Sequence, residues 1–154
     1  MADILLIDDD EGFRTMLCRL LTRSGHTVTA CEDGRKGVDL FRRNPGFLVI
    51  TDLIMPEQEG IETIIQLRKE FPDVRIIAMS GGGRVTPEIY LESAANLGAS
   101  RIFTKPLDTE EFMLAIRELT TLPERDNTIP DKRFTKTQKK RISSSSPSLN
   151  SLRR

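Results

Sequence analysis

Between Ile4 and Thr121 the chain alternates short β-rich apolar runs with stretches of helical period, five times over. Ile4 to Asp8 reads as a first strand, and Phe13, Met16, Leu17, Leu20 and Leu21 then recur at helical spacing until Gly25 ends the helix. Thr27 to Cys31 is a second strand; Val38, Leu40 and Phe41 mark a short helix stopped near Asn44, Pro45 and Gly46. Phe47 to Asp52 is a third strand. After a loop holding Pro56 and Gly60, Ile61, Ile64, Ile65 and Leu67 stripe a third helix that runs out at Phe71 and Pro72. Val74 to Met79 is a fourth strand. A fourth helix follows, with Thr86 as N-cap, Pro87 at its first position, Leu91, Ala94 and Ala95 on one face and Gly98 closing it. Arg101 to Thr104 forms a fifth strand, and Asp108 with Glu111 caps a last helix carrying Phe112, Ala115, Ile116 and Leu119.

Strands that alternate with helices require right-handed crossovers and a parallel sheet covered on both faces. Such strands are apolar on both sides, as the continuous run Ile4-Leu5-Leu6-Ile7 is. The expected fold is a doubly wound α/β domain. With 38% apolar and 5% aromatic residues, one Tyr and no Trp, its core must be aliphatic. The 154 residues suffice for one domain of ordinary size with a remainder, and exclude two large domains.

Other classes drop out on simple grounds. The longest apolar runs, Ile4 to Ile7 and Phe47 to Ile50, fall far below the roughly 20 residues of a membrane span. With a strand starting at Ile4 and no charged leader ahead of it, a cytoplasmic location is expected and no membrane partner. Cys18 and Cys31 sit inside apolar patterns and read as reduced buried thiols, while the single His26, in a turn, excludes a multi-His metal site.

The formal charge of zero hides an asymmetry. Residues 1–123 hold 14 basic and 20 acidic side chains, whereas the last 31 hold 9 basic and 3 acidic. Beyond Leu122 the periodic pattern gives way to Pro, Lys, Arg, Thr and Ser, ending in the run Ser143 to Ser146. The expected organisation is a domain over 1–122 and a basic, Ser-rich, disordered tail over 123–154.

Ligands of open parallel sheets bind at the carboxyl ends of the strands. Strand one ends in Asp8, Asp9 and Asp10, strand three in Asp52, strand four in Ser80, and strand five runs into Thr104, Lys105 and Pro106. Carboxylates gathered at one crevice repel unless a hard divalent cation joins them, and Mg²⁺ is the natural choice. The set also offers a hydroxyl and an ammonium able to hold phosphate oxygens. Asp10 reads as the N-cap of the first helix, Glu11 as its dipole partner, and Met55 as a packing residue. Gly81-Gly82-Gly83 lacks the Gly-Lys-Ser/Thr of a phosphate-binding P-loop and reads as a strand-to-helix loop.

Asp8-Asp9, Asp52 followed by Met55-Pro56 and Gly60, Ser80-Gly81 and Lys105-Pro106 together resemble the bacterial two-component response-regulator receiver domain, of the chemotaxis-response-regulator type, over residues 3 to 121. The resemblance implies a flavodoxin-like sheet of five strands ordered 2-1-3-4-5 with five helices. It implies that Asp52 accepts a phosphoryl group from a sensor histidine kinase or phosphotransfer protein. Asp9 and Asp52 would bind Mg²⁺ directly, with the Ile54 carbonyl, and Asp8 through water. Lys105 and Ser80 would contact phosphoryl oxygens, and Pro106 would follow a cis bond. Such a domain is a phosphoacceptor in phosphorelay signalling, with Mg-dependent self-phosphorylation and self-dephosphorylation chemistry, rather than an enzyme with turnover.

One departure stands out: the family's Tyr or Phe three residues before the lysine is replaced by Ile102. Phe103 lies one residue late, so strand alternation turns it to the other face. Two rival functions fit less well. A haloacid-dehalogenase-type phosphatase, suggested by Asp8-x-Asp10, needs acidic metal ligands beyond the lysine, where Asp108, Glu110 and Glu111 read as helix-start residues. A pseudo-receiver would lack the acidic pair or the lysine. No helix-turn-helix or kinase fits in the last 31 residues, so a stand-alone receiver that docks to a downstream protein is expected, with nucleic acid not expected as a partner.

Overall fold

Every side chain from Ile4 to Ile7 is fully buried, as a central parallel strand with helices on both faces demands. In the computed structural model, which describes residues 1–55, 60–81, 92 and 95–121, that run belongs to β1 (Asp3–Ile7). It is followed by α1 (Glu11–Arg23), β2 (Thr27–Cys31), α2 (Gly34–Arg43), β3 (Leu48–Asp52), α3 (Gly60–Glu70), β4 (Arg75–Ser80), β5 (Arg101–Thr104) and α4 (Thr109–Thr121). The five strands form one parallel sheet in the order β2-β1-β3-β4-β5. Fold class and strand order match the sequence reading; β2 and β5 keep the expected limits, and those of β1, β3 and β4 shift by at most one residue.

Alternation along the strands divides the core in two. Leu5, Ile7, Val49, Ile76 and Ala78 face α2 and α3, where Val38, Phe41, Ile64 and Leu67 meet them. Ile4, Leu6, Ile50, Ile77 and Met79 face the other way, against Leu17 and Leu21 of α1 and Phe112, Ile116 and Leu119 of α4. Phe103 belongs to this second layer, its ring edge-on to Phe112 with centroids 5.2 Å apart. Ile102 packs on the opposite layer.

Three helices start on an aspartate that accepts a backbone N–H of the first turn: Asp10 from Phe13 at 3.0 Å, Asp33 from Lys36 at 2.8 Å and Asp108 from Glu111 at 3.1 Å. Each such cap is worth about 1 kcal/mol. Gly25 and Gly98 adopt φ of +90° and +95°, where a side chain would strain the backbone. Thr86, Pro87, Leu91 and Ala94 of the expected fourth helix, most of the loop Gly81 to Val85, Pro56, and the tail 123–154 lie outside the described residues. No described helix is long and apolar enough to cross a membrane.

Candidate functional site at the strand ends

Strand register assembles the site. Ile7 pairs with Thr51, so Asp8 and Asp52 leave neighbouring strands side by side. Asp52 pairs with Met79 and Ser80 with Thr104, which brings Ser80 and Lys105 to the same edge. The Lys105 N–H then donates to the Ser80 carbonyl at 2.8 Å. All four groups therefore converge from the carboxyl ends of four strands on one crevice.

Asp8 is fully buried and Asp52 nearly so, while Asp9 is exposed. Asp8 accepts from the Asp10 N–H through Oδ1 at 2.9 Å, and Asp52 accepts from the Ile54 N–H through Oδ1 at 3.0 Å. These bonds fix both carboxylates and turn their second oxygens toward Lys105. The Lys105 Nζ donates to Oδ2 of Asp8 and to Oδ2 of Asp52, each at 2.8 Å. Lys105 is thus a bridge between two carboxylates rather than a solvated charge. The Lys105-Pro106 bond is cis.

Burial pushes the Asp8 carboxyl above its usual range, against the pull of Lys105. Burial also opposes the charge on Lys105, but its hydrogen bonds to Asp52 and Asp8 outweigh this and hold the ammonium above the usual lysine range.

Carboxylate oxygens of Asp8, Asp9 and Asp52 lie within 4.8 Å of one another. One ammonium offsets only part of that charge, and the donors are hard oxygens. The set therefore fits a divalent hard cation such as Mg²⁺. Ser80 is buried at the same edge, and Met55 packs in the core as its neighbours predict.

Three features of the site were not visible in the sequence. Gly60 lies so close that a Cβ there would fall 1.7 Å from the Asp52 carbonyl oxygen. Arg14 donates through Nη1 to the Asp8 carbonyl at 2.7 Å. Phe13, which the helical stripe marks only as core, presents its ring to the Lys105 Nζ at 4.0 Å from the centroid. Its position one turn after the acidic cluster is the one signal that could have flagged it.

A family model described as the response regulator receiver domain matches residues 4–117. The chain belongs to this family. Over 115 residues it is 34% identical to the DNA-binding transcriptional regulator NtrC of Azospirillum brasilense, covering 75% of this chain and 23% of that protein. It is 31% identical over 116 residues to the response regulator MprA of Mycolicibacterium vanbaalenii, covering 75% and 49%. The chain thus spans from just under a quarter to about half of the length of these relatives. A receiver-domain structure from Clostridium thermocellum superposes with a TM-score of 0.71 at 27% identity, covering 77% of this chain and 93% of that one.

Proposed function

We propose that this receiver domain accepts a phosphoryl group on Asp52 from a phosphohistidine of a sensor kinase or phosphotransfer protein, and signals by docking to a downstream protein. The observation that carries this reading is the Lys105 ammonium, 2.8 Å from both Asp8 and Asp52, at the carboxyl end of the sheet. An Asp52 oxygen attacks phosphorus; the new O–P bond forms as the P–N bond of the phosphohistidine breaks, and the departing imidazole takes a proton from solvent. The Ile54 N–H holds the other Asp52 oxygen, so the nucleophile presents one fixed edge. Lys105 is placed to follow charge from the carboxylate onto the phosphoryl oxygens, and Ser80 to donate to one of them. Asp9 and Asp52, with the Ile54 carbonyl, would hold Mg²⁺, and Asp8 would act through water. When bound, that ion supplies charge neutralisation on the transferring phosphoryl group.

Intact-mass measurement after incubation with acetyl phosphate and Mg²⁺ tests the proposal. One phosphate should add, only with Mg²⁺, and Asp52→Asn should remove it. An adduct of undiminished level in Asp52→Asn would overturn the assignment.

A further inference from the structure

The Lys105 ammonium has three donors, and the two carboxylates take two of them. Its remaining side is covered by the Phe13 ring, 4.0 Å from the centroid, within the range of a cation–π contact. Phe13 stands on the first turns of α1, and its backbone N–H is held by Asp10, which fixes the Cα that carries the ring while that cap persists. It also packs against the buried layer formed by Leu17 and Phe112. Lys105 itself is only 17% exposed, which removes much of the water that would otherwise weaken the contact.

We propose that Phe13 is a positioning residue for phosphoryl transfer, holding the Lys105 ammonium at the crevice from the side that the carboxylates do not occupy. The inference rests on the phosphoacceptor reading above. Its physical content is that an ammonium keeps its place when a carboxylate partner is redirected to a cation or to phosphorus. An aliphatic side chain of similar bulk fills the space but offers no negative face, so the flexible lysine stem then samples other rotamers.

The test measures the rate at which acetyl phosphate, with saturating Mg²⁺, adds phosphate to the full chain. Acetate leaves as its O–P bond breaks and the Asp52 O–P bond forms. Phe13→Leu should slow addition about five- to tenfold, the factor one partly desolvated cation–π contact supports. Phe13→Tyr should keep the wild-type rate, and so should Thr22→Ala, a change at the exposed far end of the same helix. In a Lys105→Ala background, Phe13→Leu should add no further loss. A packing role would instead slow both backgrounds alike. A readout independent of activity is the upfield ring-current shift of the Lys105 Cε protons, present in wild type and Phe13→Tyr and lost in Phe13→Leu. Wild-type rate in Phe13→Leu, or equal slowing in both backgrounds, overturns this inference alone. Absence of an adduct in the wild-type chain overturns the phosphoacceptor reading, and this inference with it.

Discussion

Lys105 and Asp8, 97 residues apart in sequence, meet at 2.8 Å, and the aspartate in that pair is fully buried. Burial, with a smaller push from the Asp52 charge, raises the Asp8 pKa against the pull of Lys105, so its charge opposes folding: stability is favoured below its ordinary value of 3.8 and declines as pH rises through the raised one. Lys105 offsets that decline. Lys105→Met should therefore cost about 2 kcal/mol at pH 7 and clearly less near pH 4, with Mg²⁺ at millimolar concentration restoring part of the loss. Urea unfolding at both pH values, with and without Mg²⁺, gives the comparison; an equal cost at both pH values would contradict the role assigned to the pair.

Asp9 and Lys105 should separate cleanly in metal binding. Asp9→Ala removes a carboxylate, so Mg²⁺ affinity should fall at least tenfold. Lys105→Ala removes a cation that competes for Asp8 and Asp52, so affinity should hold or tighten. Calorimetric titration of both variants decides it, and a parallel loss in the two would count against these ligand assignments.

Gly60 joins α3 to the backbone of Asp52, the proposed phosphoacceptor. Its added Cβ would lie 1.7 Å from the Asp52 carbonyl oxygen and 2.7 Å from the Leu53 Cα, both backbone atoms that cannot swing aside. Gly60→Ala should destabilise the domain by about 3 kcal/mol and shift the Asp52 and Leu53 amide resonances. A stability within experimental error of wild type would mean that α3 has room to retreat.

Cys31 lies under α2, and burial, reinforced by the Asp33 carboxylate, pushes its thiol up to about 11 from 9.0. The native state thus keeps its proton where the unfolded chain loses it. Stability should hold below pH 9.0 and fall as pH rises toward 11. The fall amounts to about 2 kcal/mol. Cys31→Val should flatten this alkaline limb in denaturant titrations, and at pH 8 the native thiol should resist a disulfide reagent that modifies the unfolded chain readily.

How much of this was legible beforehand depends on distance along the chain. Local physics is written locally: the four apolar residues Ile4 to Ile7 announce a doubly covered strand, and Asp10 and Asp108 announce helix starts, each accepting the N–H three residues on, from Phe13 and Glu111. Asp8, Asp52, Ser80 and Lys105 were legible as a set because a parallel sheet brings strand ends together whatever separates them in sequence. The Phe13 ring over Lys105, the Gly60 approach to Asp52 and the Arg14 bond to the Asp8 carbonyl were not. Each depends on the rotation of a helix against the sheet, and a periodic stripe tells which face is buried without telling which atom it touches.

Ile102 sets the last expectation. The family's aromatic position is aliphatic here, and the neighbouring Phe103 is committed to the opposite layer by its edge contact with Phe112 at 5.2 Å. A ring held there cannot serve the face that Ile102 occupies without crossing the sheet. The phosphorylation signal should therefore pass through Ser80, whose strand end is tied to Lys105 by the 2.8 Å bond from the Lys105 N–H to the Ser80 carbonyl. With beryllofluoride and Mg²⁺ as a phosphate mimic, the amide resonances of Ser80, Gly81 and Lys105 should move. Ser80→Ala should abolish most of that movement while Asp52 still takes phosphate from acetyl phosphate. Ile102→Ala should keep it and cost about 1 kcal/mol of stability, whereas Phe103→Ala should cost about 3 kcal/mol through lost packing against α4. If Ile102→Ala silences the response and Ser80→Ala leaves it intact, the signal runs along β5 instead and the role given to Ser80 fails.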